Sequence, residues 1–485
     1  MKIEKLKIPP QEMPQQTPRV RARNMNEVAL GYTAELARLE ASRCLACPAK
    51  PCVQGCPVKI RIPDFLAAAA AGDFAKALAI IRENSLLPAV CGRVCPQERQ
   101  CQKYCTVGKL LKDVSKAVAI GRVERFCADQ AANEPAPQVR PPASGRRVAV
   151  VGSGPAGITC AADCARAGHR VTLFEAFHKA GGVLVYGIPE FRLPKTIVAR
   201  EIENLKAMGV EVVTDFVVGR TQTLAELRKD FDAVFIGTGA GLPKFMNIEG
   251  ENLIGVFSAN EYLTRANLMK AYREEKAETP YWHGKTVAVL GGGNVAMDAA
   301  RMALRLGAED VHLIYRRSER EMPARVEEVL HAKEEGVLLH TLENVKRILG
   351  DESGRVRAVE CLKYTLGEPD ASGRRSPVAI AGSEFERAVD TVVVAVGSGS
   401  NPLLAATTPD LKVDARGHIC VDEQTMMTSI PGVFAGGDIV LGAATVILAM
   451  GEGRQAAAGI NAYLKLPRCA ASSRRRSACA SAWPH

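Results

Sequence analysis

Two hydrophobic rhythms divide this chain. Up to about residue 130, apolar residues recur at intervals of three and four, as in NEVALGYTAELARLEASRC and FAKALAIIREN, which predicts amphipathic helices interrupted by cysteine-rich loops. From about residue 146 the rhythm shortens to Val/Ile runs followed by Gly-rich turns and Ala-rich stretches. That alternation predicts parallel α/β units. Between the two regimes lies NEPAPQVRPPASGRR, proline-rich and read as a linker.

Two of the α/β units look alike: RRVAVVGSGPAGITCAADCARAGHRVTLFEA and KTVAVLGGGNVAMDAARMALRLGAEDVHLIYRR. In the first, a strand runs into Gly152, Gly154 and Gly157, with Pro155 and Ala156 between the last two. A helix follows, then a strand ending at Glu175. Glycines permit a tight turn and let bare backbone approach a pyrophosphate at a helix N-terminus, and the terminal acid is placed to accept ribose hydroxyls. Glycine turns also arise from packing alone, so the full strand, glycine, helix, strand and acid series carries the inference of a dinucleotide site. The second unit repeats the spacing with Gly291, Gly293 and Ala296, enclosing Asn294 and Val295. Its second strand ends in Arg316 and Arg317 in place of an acid; guanidinium suits a 2′-phosphate, so NADPH is expected there. The bland reading is a pair of arginines solvating a strand end.

At 485 residues the chain has room for about three domains, and 47% hydrophobic with 24% charged residues is ordinary for a globular protein. No run suits a membrane span and the N-terminus has no signal-peptide core, so a cytoplasmic location is expected. In a reducing compartment, fifteen cysteines point to metal or redox chemistry before disulfides. The net charge of +10 carries no nucleic-acid motif, and part of it sits in a C-terminal stretch, LPRCAASSRRRSACASAWPH, expected to be an unfolded basic tail.

The segment TSIPGVFAGGDIVLGAATVILAMGEGRQAA gives the first specific likeness: its GGD resembles that of the two-dinucleotide flavoproteins of the glutathione-reductase superfamily. The resemblance implies that FAD binds the first unit. Gly437, Asp438 and Thr445 would join Gly239, and the isoalloxazine would lie near Gly182, Tyr186, Gly187, Ile188 and Arg192. It also implies that VFIGTGA (234–240) and VVVAVGSGSNP (392–402) are the crossovers by which the NADPH domain is inserted in the FAD domain. The dithiol pair of that superfamily is missing, however; Cys160 and Cys164, set among alanines, read as small core residues. Electrons must leave the flavin another way.

The cysteine clusters offer the exit. Cys44, Cys47, Cys52 and Cys56 are followed by Cys91, Cys95, Cys101 and Cys105. Zinc also takes cysteine pairs, and a structural zinc platform for docking stays open as a second reading. Iron–sulfur clusters explain a flavin neighbour better, because they accept one electron at a time. The arrangement C-x2-C-x4-C-x3-C-P, with the later C-x3-C pairs and AVAIGRVERF, resembles the small (beta) subunit of NADPH-dependent glutamate synthase. It also resembles dihydropyrimidine dehydrogenase domains and the large subunit of NADH-dependent ferredoxin:NADP oxidoreductase. The likeness runs from about residue 8 to 466.

This resemblance implies two interleaved 4Fe–4S clusters, one on Cys44, Cys47, Cys52 and Cys105 and one on Cys56, Cys95, Cys101 and Glu124. Cys91 and Cys127 are left over. It implies an α/β protein: an α-helical bis-4Fe–4S domain with linker (1–142), FAD-binding parts (143–244 and 394–466), an inserted NADPH-binding domain (245–393), and a disordered tail (467–485). The clusters should contribute folding energy to a domain with little core of its own, so that loss of iron unravels residues 40–127. The implied partner is a second subunit, either a glutamate synthase large subunit or a ferredoxin-NADP reductase-like small subunit, with ferredoxin a further candidate.

Overall fold

In the computed structural model, residues 2–131, 141–273, 277–280 and 282–465 are described; part of the expected linker and the basic tail lie outside them. The anticipated helices form before residue 131, but the first is shorter than its pattern. It spans Ala34–Ser42, where the Thr33 hydroxyl accepts from the Leu36 N–H at 3.3 Å and so caps it. Residues 26–32 stay outside the helix because Val28 donates its N–H to the Phe191 carbonyl at 3.0 Å. Apolar periodicity could not foresee that tertiary claim on the backbone. Phe74–Arg82 follows the pattern, capped by Asp73, and Ile120–Gln130 contains VERF as expected.

Beyond the linker, five parallel strands form a sheet in the order 433–435, 233–236, 147–151, 170–174, 211–213. The Val/Ile runs of all but the last of these strands are buried on both faces, as central parallel strands require. A second parallel sheet runs 256–258, 391–394, 286–290, 310–315, 338–341. The first sheet therefore draws strands from both sides of the second in sequence. The two chain segments that pass between them lie side by side: Leu242–Pro243 pairs antiparallel with Ser398–Gly399. An antiparallel sheet built on the long strand Val356–Pro369 attaches to the second unit.

The helical region has more core than its size suggested. Phe65, Ile81, Leu87 and Val90 are fully buried, and this apolar core continues into the first sheet without a break. Its seam is the helix Val446–Lys465, which packs on the helix Pro155–Arg166 and also touches the cysteine region, where Met450 Sδ lies 3.6 Å from Cys91 Sγ. The helices thus have apolar support of their own, and the cysteine loops are what the clusters would hold.

A second tie is electrostatic. Arg192 meets Asp298 at 2.6 Å and Glu328 at 3.1 Å, and Arg301 meets Glu335 at 2.7 Å and also Glu328, all nearly solvent-free. Opposed charges offset the desolvation of each, and the network bolts the Gly182–Arg192 segment to the second nucleotide unit.

Candidate electron-transfer site

The eight clustered cysteines sort into two cavities, and not in sequence order. One cavity is lined by Cys44, Cys47, Cys52 and Cys105 together with apolar Leu66, Val107 and Val118. Left-handed backbone at Ala46 and Lys50 (φ 47° and 43°) curls the first loop around it. The other is lined by Cys56, Cys95, Cys101 and Glu124, and also by Cys91. The structure thus brings together both interleaved sets, while Cys127 is buried elsewhere. Cys91, left over in the sequence, also lines the second cavity.

The donors fit a group that takes up negative charge. Burial, with neighbouring Cys105 and Cys44, pushes the Cys52 thiol up to about 12, and burial pushes Cys56 up to about 11. Such thiols cannot ionise together in an apolar cavity without a cationic core to bind them. Glu124 Oε1 is buried with no hydrogen-bond partner, and burial raises this carboxyl to about 8. An orphaned carboxylate oxygen in a thiol-lined cavity is a donor without an acceptor, which an iron site would satisfy. Four thiols around one cavity, and three thiols with a carboxyl around the other, are donor sets that suit an iron–sulfur group.

The cavities are not equivalent in depth. Cys44, Cys47 and Cys52 are half-buried, whereas Cys56, Cys95 and Cys101 are all buried. The deeper cavity also reaches the nucleotide unit: Ile447 lines it, and Gln100, another wall residue, donates to the Thr445 hydroxyl at 3.3 Å.

At the first nucleotide turn, a Cβ on Gly157 would lie 1.8 Å from the Gly152 carbonyl oxygen, so glycine there allows the helix to approach the strand. A Cβ on Gly154 would meet nothing within 4 Å, leaving open space where a pyrophosphate would rest. Glu175 accepts from the Ser153 N–H at 3.0 Å and the Phe177 N–H at 2.9 Å, which fixes its carboxylate beside the turn. Gly182 lies against Gly154, and Gly437 against Ala156. Tyr186 is held close by, its phenol raised to about 12 by burial and by Asp438 and Glu175. Gly239 has open space around its missing side chain. Gly187 and Ile188 are fixed through their carbonyls, which accept from Asn267 at 3.1 Å and from Lys195 at 2.6 Å. Burial lowers Lys195 to about 8. Lys195, Asn267 and Glu452, whose carboxylate accepts from the Gly437 N–H at 2.6 Å, were not singled out in the sequence. Asp298 and Glu328 hold the Arg192 guanidinium, so this residue also ties the two units together.

At the second turn, Gly293 faces open space, its nearest neighbour being Pro323 at 3.9 Å; Ala296 is buried and Val295 exposed. Asn294 accepts from the Arg325 N–H at 2.9 Å. Beyond the left-handed Gly291 (φ 147°), the arginine pair divides. Arg316 is exposed at the strand end, while Arg317 is buried and paired with Asp370 at 2.5 Å. Asp370 thus accompanies Arg317, while the Arg316 guanidinium stands exposed at the strand end.

Comparison with known proteins agrees with this division. Residues 146–453 match the family model described as pyridine nucleotide-disulphide oxidoreductase, and residues 21–136 match dihydropyrimidine dehydrogenase domain II, 4Fe-4S cluster. The chain is 37% identical to the glutamate synthase [NADPH] small chain of Azospirillum brasilense over 94% of this chain and 95% of that one. It is 36% identical to the Escherichia coli small chain over 93% and 97%. Identity reaches 42% with NADP(+)-dependent formate dehydrogenase subunit beta of Moorella thermoacetica, covering 86% of this chain but only 60% of that longer protein. In fold it resembles FprA from Mycobacterium tuberculosis, solved in complex with NADPH, with a TM-score of 0.55 and 19% identity over 66% of this chain and 84% of that one. No helix among the described residues is long and apolar enough to cross a membrane. With two thiol-lined cavities set against a paired-nucleotide fold and these matches over nearly its whole length, the chain belongs to the pyridine nucleotide-disulphide oxidoreductase family, in the branch of the NADPH glutamate synthase small chains.

Proposed function

We propose that this chain is the electron-delivering small subunit of an NADPH-dependent glutamate synthase, whose larger partner makes glutamate from glutamine and 2-oxoglutarate. The observation that carries the reading is the serial placement of the sites: one thiol cavity abuts the Thr445–Ile447 helix start, and the other is lined by the half-buried Cys44, Cys47 and Cys52. Matching of glutamate synthase small chains over 95% and 97% of their lengths favours this reading over a bifurcating transhydrogenase subunit.

When bound, FAD exchanges a hydride with NADPH and two 4Fe–4S clusters pass electrons singly. The chain's own groups bind and orient. Gly152, Gly154 and Gly157 with Glu175 would hold the adenosine half of FAD, and Asp438 with the helix after Thr445 the rest. Gly291, Gly293 and Asn294 would seat NADPH, with Arg316 on its 2′-phosphate. Cys44, Cys47, Cys52 and Cys105 would hold the outer cluster, and Cys56, Cys95, Cys101 and Glu124 the inner. Asn267 and Lys195 clamp the Tyr186–Ile188 carbonyls and so fix the wall of the flavin cradle.

The test is anaerobic titration with NADPH. Flavin absorbance should bleach, with paramagnetic signals of reduced iron–sulfur centres and about eight irons per chain; glutamate should form when a glutamate synthase large chain is added. Stoichiometric zinc with no iron, or flavin that bleaches while the centres never respond, would refute it.

A further inference from the structure

The shallow cavity has a surface above it whose chemistry is specific. Cys105, Thr106 and Val107 line the cavity, yet the same helix, Thr106–Leu110, turns Leu110 out to 56% exposure. Beside it Tyr104 is 40% exposed and Val114 41%. Tyr104 is anchored, since its ring packs over Gly55 next to the first cysteine loop. Single exposed apolar residues need no explanation, but three within one short segment over a redox cavity form a patch.

Lysines are interspersed with that patch along the chain. Lys103 and Lys109 hold their ammonium groups 5.9 and 5.7 Å from the Tyr104 ring centre, and Lys112 and Lys116 follow. The single acid in residues 103–116, Asp113, is matched to Lys116 at 3.8 Å. Among the described residues Lys103, Lys109 and Lys112 have no ion pair, so the patch carries a net positive field. An apolar centre containing a tyrosine, with a rim of one charge, is the anatomy of a docking face; the rim charge sets encounter rate and orientation.

We propose that this face docks the electron-accepting protein partner through an acidic contact surface on that partner. The occupant is fixed by complementarity: uncompensated lysines select against a basic protein, and the apolar trio against a purely hydrated encounter. The proposal rests on the reading of the two cavities as an electron route, and it supplies the partner's chemistry at the outlet.

The experiment uses the full-length, cofactor-loaded protein with two one-electron acceptors of opposite charge, an acidic plastocyanin and a basic cytochrome c, under anaerobic conditions. Each NADPH oxidised reduces two acceptor molecules and releases one proton. The variant K109E/K112E is compared with K229E/K412E, which makes the same change in net charge at exposed lysines elsewhere. With K109E/K112E, KM for plastocyanin should rise about tenfold and KM for cytochrome c should fall, while raised salt compresses both changes. K229E/K412E should leave both within about twofold. Plastocyanin binding to the immobilised protein, which needs no electron flow, should weaken in parallel. If the binding and both KM values are unmoved by K109E/K112E, or move alike in both double variants, the docking face is overturned. Failure of the electron route is distinct: NADPH would then leave the iron–sulfur signals silent in the unaltered protein, whatever plastocyanin binding showed.

Discussion

Replacing Gly154 by alanine separates the fold from the nucleotide site. Its φ of −68° is open to any L-residue, and a methyl group would touch no protein atom within 4 Å. Restricting the unfolded chain should stabilise by about 0.4–1 kcal/mol, and a poorer N-cap should cost up to about 1 kcal/mol. The FAD-free protein should therefore unfold at a urea midpoint within about 1 kcal/mol of the original. FAD would fare differently if its pyrophosphate rests in that open space. Displacing it from charge-assisted hydrogen bonds worth about 1.5–3 kcal/mol each should cost about 3 kcal/mol. That is roughly a 100-fold weaker Kd, measured by flavin fluorescence. Gly157→Ala is the contrast: its methyl starts 1.8 Å from the Gly152 oxygen, far inside contact distance, so stability itself should fall by at least about 1–3 kcal/mol. Unchanged FAD affinity in Gly154→Ala, or a stability loss there as large as in Gly157→Ala, would refute the assignment of this turn as the cradle.

Cys52→Ser should lower iron from about eight to about four per chain by removing a donor of the outer cavity, whereas Cys127→Ser, lining neither cavity, should keep all of it; elemental analysis checks both. Arg301→Met leaves Glu328 and Glu335 buried with part of their compensation gone, and calorimetry should show a loss of about 3–5 kcal/mol. Burial raises the Glu452 carboxyl to about 7, above the unfolded value of 4.5, so its neutral form favours the fold. That contribution is complete below about pH 4.5 and fades as pH rises through about 7. Urea unfolding of FAD-free Glu452→Gln should accordingly lose less stability between pH 5.5 and 8 than the original chain; equal losses would place the titration elsewhere.

Much of the site was legible because its parts are local. A glycine turn between strand and helix, an acid closing the next strand, and thiols clustered within one loop are short-range features, fixed by backbone sterics and spacing alone. Periodicity likewise set the helical and parallel α/β regimes. What the chain could not reveal by itself were contacts between distant segments. Which cysteines share a cavity depends on packing the loop 44–56 against 95–105, and residue likeness supplied the interleaving that spacing left open. The admission of Cys91 to the inner cavity needed the fold. So did the pairing of Arg192 with Asp298 and of Arg317 with Asp370, because a guanidinium in a low-dielectric interior goes to whichever carboxylate the fold brings within reach. The relative depth of the two cavities was also a tertiary decision, made where the helix Val446–Lys465 seats against the cysteine region. Gln100 and Thr445 meet there across a separation of 345 residues, which no local pattern encodes.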